Sequence, residues 1–212
     1  MKSNEKKPIL CKNILVGDSG VGKTSIINKY LDKYMPNPHA TLNTSFFSKI
    51  ESINNYNINF QIWDTVGQEK YRSLNTLFFK DAHICIMVYD ITRLESFNNI
   101  KDYWYESVIT YGLEGIICVI VGNKDDLSKY EKVDRNDVKE FCNEVNAILK
   151  FTSVKDNHLI NELFQDVGKK FFDSDFMKDI REENAYEKKE NENQFQIDNN
   201  QNINKNDKKG CC

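Results

Sequence analysis

The octapeptide GDSGVGKT, residues 17–24, limits the fold of this chain more than any other stretch. It follows the apolar run ILCKNILV at 9–16 and leads into the helix-like segment 23–33, so its glycines sit where a buried strand gives way to a helix. The pattern G-x-x-x-x-G-K-[ST] is met at every fixed position. Gly17, Gly20 and Gly22 let the chain wrap closely enough for backbone N–H groups to point inward at an anion, and the following helix adds the positive end of its dipole. The candidate phosphate cradle is then Ser19, Gly20, Val21 and Gly22, with Lys23, Thr24 and Ser25 at the helix start. Lys23 would reach the β and γ phosphates, and the Thr24 hydroxyl would bind magnesium. The plainer alternative is a glycine turn that only joins strand to helix.

The surrounding pattern fits a strand–turn–helix frame. Apolar runs at 84–89 (ICIMVY) and 116–121 (IICVIV) have the length and continuity of strands buried on both faces, as in a parallel sheet. Helical spacing is expected over 23–33, 95–110 (Phe97, Ile100, Trp104, Val108), 135–148 and 158–172 (Leu159, Leu163, Val167, Phe171). Strands alternating with helices predict an α/β, doubly wound sheet. The exception is 46–64, where FFSKIESI and INFQIWD flank NNYN and predict an antiparallel hairpin at one edge.

With a phosphate site in place, two further stretches acquire chemistry. FQIWDTVGQE at 60–69 ends a strand with Asp64, which could reach a metal, Gly67, which could offer a backbone N–H, and Gln68, which could orient a water. NKDD at 123–126 follows the strand IICVIVG and places Asn123 at a strand's carboxyl end, beside the expected cleft. There the Asp126 carboxylate can accept from the N1–H and the exocyclic amine of guanine. Adenine offers no matching pair of donors, so discrimination of roughly 10⁴-fold is physically reasonable. FTSVK at 151–155 brings Ser153, Val154 and Lys155 within reach of the same base.

The set GDSGVGKT, WDTVGQE, NKDD and TSVK resembles the Ras superfamily of small GTPases, and YRSL at 71–74 with VYDIT at 88–92 resembles its Rab family. The likeness spans about residues 8–173. It implies a P-loop NTPase small G domain over 8–177, with a six-stranded mixed sheet and one antiparallel edge strand. A disordered hypervariable tail over 178–212 would follow. It further implies GTP or GDP with Mg2+ as ligands. Thr41 would bind magnesium and the γ-phosphate, Asp64 would hold magnesium through water, Gly67 would donate its N–H to the γ-phosphate, and Gln68 would orient the attacking water. Lys124 of the NKDD motif would join Asn123 and Asp126 around the base. Phe46, Trp63 and Phe78 match the positions through which Rabs meet effectors; the competing reading is ordinary core. TSF at 44–46 and IWDT at 62–65 resemble the endosomal Rabs.

Three departures from the family pattern stand out. The run from Lys23 to Thr41 is one residue short, which leaves Tyr34 or Met35 to stack on the base. Asn43 stands where the family has glycine, at a site where asparagine tolerates positive φ better than most residues. Val66 replaces the usual alanine between the Asp-Thr pair and Gly67. Overpacking a tight site commonly costs ~1–3 kcal/mol, so Val66 is expected to slow hydrolysis or weaken the closed GTP state. The alternative function is therefore a GTP-locked scaffold that binds effectors without useful turnover. A P-loop kinase is disfavoured because NKDD specifies guanine and no acceptor-substrate domain is visible.

The remaining features bear on location and partners. A formal charge of -3 gives no reason to expect nucleic acid. The longest apolar run is too short to cross a bilayer, Lys2 excludes N-myristoylation, and a cytosolic protein is expected. Of six cysteines, Cys11, Cys85, Cys118 and Cys142 sit singly in apolar segments and read as buried thiols. Cys211 and Cys212 end the chain, and in a Rab-like protein imply two geranylgeranyl groups, which anchor where one lipid would not. No arginine occurs from residue 30 to 70, so a GTPase-activating partner would insert one and the intrinsic rate would be slow. An exchange factor, a prenyl-delivery or GDP-dissociation partner and effectors complete the expected partners of a monomer. Its expected place is the cytoplasmic face of endosomal or Golgi-type membranes. His39, His83 and His158 lie in no metal-ligand arrangement.

Overall fold

The computed structural model describes residues 7–33, 44–66, 78–178 and 180–182. Six strands form one sheet: β1 (Ile9–Val16), β2 (Ser45–Ile53), β3 (Tyr56–Asp64), β4 (Ile84–Asp90), β5 (Ile117–Asn123) and β6 (Ile148–Thr152). Their order is β2-β3-β1-β4-β5-β6. The β2–β3 pair is antiparallel and every other pair is parallel, as the sequence predicts. Every residue of β4 and of β5 is buried, which is why both read as unbroken apolar runs. β2 alternates between less and more exposed positions, as an edge strand with one wet face should. Asn54 (φ 50°) and Asn55 (φ 66°) form the two-residue turn between β2 and β3, in the left-handed region that suits such hairpins.

Helix α1 runs Lys23–Tyr30. Helix α2 (Leu94–Asn99) continues through a π-helical turn, Ile100–Trp104, into α3 (Tyr105–Tyr111). A 3₁₀ segment, Asp125–Tyr130, precedes α4 (Arg135–Glu144), whose first turn is capped by Asp134 accepting from the Asn136 N–H at 2.7 Å. Helix α5 is Asn157–Asp173. The helix expected to reach residue 148 stops at Glu144: Asn146 turns the chain at φ 52° and frees Ile148–Thr152 to extend the sheet as its last strand.

One core cluster joins Ile14, Val16, Cys85, Met87 and Tyr89 of the sheet to Phe97, Ile100, Trp104 and Val108 of the α2–α3 helix. Elsewhere Tyr30 stacks on Phe164 with ring centroids 3.7 Å apart, and Phe60 lies 6.3 Å from Phe164. Burying side chains of this size stabilises by about 1.5–3 kcal/mol each. Cys11, Cys85, Cys118 and Cys142 are buried free thiols. The chain divides into two units, Met1–Phe172 and Asp173–Cys212. In the second, a 3₁₀ turn spans Asp175–Met177 and Arg181 Nη1 lies 3.8 Å from Asp173 Oδ1. Among the described residues no helix is long and apolar enough to cross a membrane.

Candidate nucleotide site

The sheet order reverses around β1, and the loop 17–22 leaves the carboxyl end of β1 at that switch point. Close approach explains the glycines. A Cβ on Gly17 would lie 2.1 Å from the Val88 carbonyl oxygen, and one on Gly22 would lie 2.2 Å from Asn123 Nδ2. Both residues also have positive φ, 137° and 104°. The space that Gly22 leaves is used by Asn123, whose Nδ2 donates to the Val21 carbonyl at 2.8 Å. Lys23 is buried, and its Nζ donates to the carbonyls of Gly17 (2.7 Å) and Asp18 (3.0 Å). Burial draws its pKa down from 10.5 to about 8, against the pull of Asp64 and Asp18.

The outer side of this loop is held by residues that sequence reasoning missed as site elements. Asp18 accepts from Asn99 Nδ2 at 2.7 Å and from Trp104 Nε1 at 3.3 Å, and Ser19 O accepts from Arg93 Nη2 at 3.0 Å. Trp104 was legible as an apolar position on a helix, but nothing local marks its indole N–H as a partner for Asp18.

At the end of β3, Asp64 is 1% exposed and its Oδ2 accepts from the Thr24 hydroxyl at 2.5 Å. Its Oδ1 has no hydrogen-bond partner among the described residues. Burial raises its pKa, opposed by the Thr24 hydrogen bond and the charge of Lys23. A buried carboxylate with one oxygen unsatisfied, beside a hydroxyl, fits magnesium, which takes few protein oxygens and completes its shell with phosphate and water. Among the described residues no group of three His, Cys, Asp or Glu offers an all-protein metal cage. The following Thr65 donates its hydroxyl to the Leu15 carbonyl at 2.6 Å, fastening the exit of β3 to β1, and Val66 next to it is buried.

The base side is built where β5 and β6 end. Asn123 pairs in register with Thr152, whose hydroxyl donates to Asn123 Oδ1 at 3.1 Å. Lys124 adopts φ 67°, and its Nζ lies 2.6 Å from Asp90 Oδ2. Ser153 Oγ donates to Asp126 Oδ1 at 2.7 Å, and Lys155 Nζ lies 2.6 Å from Asp126 Oδ2. The hydrogen bonds from Lys155 and Ser153 hold the Asp126 carboxyl below its usual range, so it is an anion ready to accept. The structure thus brings the TSVK turn, with Val154 at its centre, against NKDD, and Asn123 links both to the phosphate loop.

Comparison with known proteins agrees with this geometry. The Ras family model matches residues 12–173. Mouse Ras-related protein Rab-22A is 36% identical over 165 residues, covering 77% of this chain and 84% of its own length. Mouse Ras-related protein Rab-31 is 38% identical over 159 residues, 74% of this chain and 81% of its own. The GTP-binding protein ypt1 of Schizosaccharomyces pombe is 34% identical over 162 residues, 76% and 79% respectively. The chain is a Rab-type small GTPase of the Ras family.

The three aromatic residues that the sequence matches to Rab effector positions lie together. Phe46 and Trp63 are register partners on β2 and β3 with ring centroids 5.0 Å apart, and Phe78 lies 5.8 Å from Trp63. Phe46 is 49% exposed, against a core role, whereas Trp63 and Phe78 are partly buried against the core cluster. Tyr34, Met35, Thr41, Asn43, Gly67, Gln68, Cys211 and Cys212, and the tail expected from 178 onward except 178 and 180–182, lie outside the described residues.

Proposed function

We propose that this Rab-type protein is a GTP-hydrolysing switch that recruits effectors to membranes in vesicle traffic. The observation that carries the guanine reading is the Asp126 carboxylate, held by Ser153 and Lys155 in the segment whose Asn123 bonds the phosphate loop. In the bound state Ser19 to Ser25 would embrace the phosphates, with the backbone N–H groups of 19–25 and the Lys23 ammonium on their oxygens. Thr24, Thr41 and Asp64 would hold magnesium, which when bound neutralises charge on the β- and γ-phosphate oxygens. Phosphoryl transfer needs little covalent help beyond such charge and a positioned nucleophile. Gln68 would orient the water, Gly67 would donate its N–H to the γ-phosphate, and Tyr34 or Met35 would cover the base.

The switch rests on partners. With no arginine between residues 30 and 70, an activating protein supplies one in trans, and an exchange factor returns the GDP form to GTP. Phe46, Trp63 and Phe78 present the effector surface. Geranylgeranyl groups on Cys211 and Cys212 hold the monomer on endosomal or Golgi-type membranes, and a GDP-dissociation partner removes it.

The test is single-turnover phosphate release from the full chain loaded with GTP and magnesium. Release on the order of 10⁻⁴ per second, the intrinsic range of Ras, is expected, and Gln68→Ala should slow it further. A native rate above ~10⁻² per second, or equal loading by ATP, would overturn the proposal. Val66→Ala in the same assay should release phosphate faster if the two added methyl groups hold the catalytic loop back; an unchanged rate removes that role from Val66.

A further inference from the structure

NKDD contains two adjacent carboxylates, yet only one can read the base. What separates them is Arg135, the first residue of α4. Its Nη2 lies 2.5 Å from Asp125 Oδ1, and its Nε donates to both Glu131 carboxylate oxygens at 3.0 and 3.1 Å. The same guanidinium sits 4.2 Å from the centroid of the Phe151 ring. Phe151 immediately precedes Thr152 and Ser153 and is the register partner of Gly122, the residue before Asn123. Its ring lies so close to that backbone that a Cβ on Gly122 would be 2.8 Å from Phe151 Cδ1. One side chain therefore touches NKDD through Asp125 and the approach to TSVK through Phe151, the residue that precedes it.

We propose that Arg135 is a positioning residue for guanine recognition: it sequesters Asp125 and is stacked on Phe151, leaving Asp126, Ser153 and Lys155 to face the base. The proposal rests on the guanine reading above. Isolated exposed ion pairs contribute little to stability, and the Arg135 side chain is 43% exposed. Its effect is instead one of placement. Released from Arg135, the Asp125 carboxylate would compete with Asp126 for Lys155 and add a second negative charge next to the one that accepts from guanine. Phe151 would lose the planar cation over its face, and with it a restraint on the strand that leads into Ser153. Lysine could keep the charge near Asp125 but has neither the fork nor the flat stacking face.

The experiment is release of fluorescently tagged GDP and of tagged inosine diphosphate, which lacks the exocyclic amine, from the full chain with magnesium. Arg135→Ala should release GDP about 3–10-fold faster and inosine diphosphate less so, shrinking the ratio between them. Arg135→Lys should recover part of the ratio, and the loss should be smaller in an Asp125→Asn background, where the rival carboxylate is gone. Arg135→Gln carries the same expectation should the alanine variant not fold. Unchanged release of both nucleotides makes Arg135 an idle surface cation, and equal acceleration of both makes it merely structural; either result overturns the proposal. If the native chain shows no preference for GDP over ADP, the guanine reading itself fails, which is a distinct outcome from a native preference that Arg135→Ala leaves intact.

Discussion

Lys23 shows how a residue identified by its motif gains a property that only burial can give. Its proposed role as a phosphate ligand follows from GDSGVGKT, but its titration follows from enclosure between the loop carbonyls of Gly17 and Asp18. A lysine drawn down to about 8 is charged below that pH and neutral above it. Between about 8 and its ordinary 10.5 the unfolded chain binds the proton more strongly, so this group alone makes the nucleotide-free fold more stable as pH rises through that window. Ligand binding runs the other way, because phosphate favours the charged form. GDP affinity is therefore expected to fall roughly fourfold between pH 7 and 8.5, with uptake of a fraction of a proton that grows over the same range. Titration calorimetry in two buffers of different ionisation heat reads both quantities, below the pH at which guanine loses its own N1 proton. A flat affinity with no buffer dependence would show that Lys23 keeps its ordinary pKa.

At the scale of elements, legibility varied with how local the cause was. β4 and β5 were plain because burial on both faces leaves a continuous apolar run, and the β2–β3 hairpin because Asn54 and Asn55 suit its turn. β6 was harder to bound: ILKFT has only intermediate burial until Thr152, and the helical pattern before it runs on past Glu144. The π turn at Ile100–Trp104 was not legible, because Phe97, Ile100, Trp104 and Val108 are spaced as an ordinary helix face. That helix both fills the core with Trp104 and delivers two neutral donors to Asp18. The carboxylate stands in a loop shaped to bind anions, where it would repel phosphate if it turned inward. Asn99→Ala should thus speed GDP release about 2–5-fold, since a hydrogen bond to a charged group is among the stronger ones. The acceleration should weaken in added salt, and in an Asp18→Ala background Asn99→Ala should change nothing further. Equal acceleration in both backgrounds would show that Asn99 acts on the helix and not through Asp18.

Across the whole molecule, the site joins four stretches that the chain keeps far apart: 17–24, Asp64, 123–126 and 152–155. Parallel strands explain the convergence, since β1, β3, β5 and β6 all point their carboxyl ends to one edge. The motifs were readable one by one, while the ties between them, Asn123 to Val21 and Thr152 to Asn123, needed the register of the sheet. A nucleotide bound as proposed would add a cross-link between the same elements, so its binding should stabilise the fold by simple linkage. At a GDP concentration about 1,000 times its dissociation constant the gain is about 4 kcal/mol. For a chain of this size that corresponds to a rise of roughly 8–16 °C in Tm. ADP at the same concentration engages the phosphate loop without satisfying Asp126, and should raise Tm by much less. Chelating magnesium should remove part of the GDP shift through Thr24 and Asp64 while leaving the GDP-over-ADP difference in place, because that difference belongs to the base side. Thermal unfolding of the full chain in these three conditions separates the two halves of the site. Equal shifts for GDP and ADP would mean that the phosphate loop acts alone and that Asp126, however well held by Ser153 and Lys155, does not read the base.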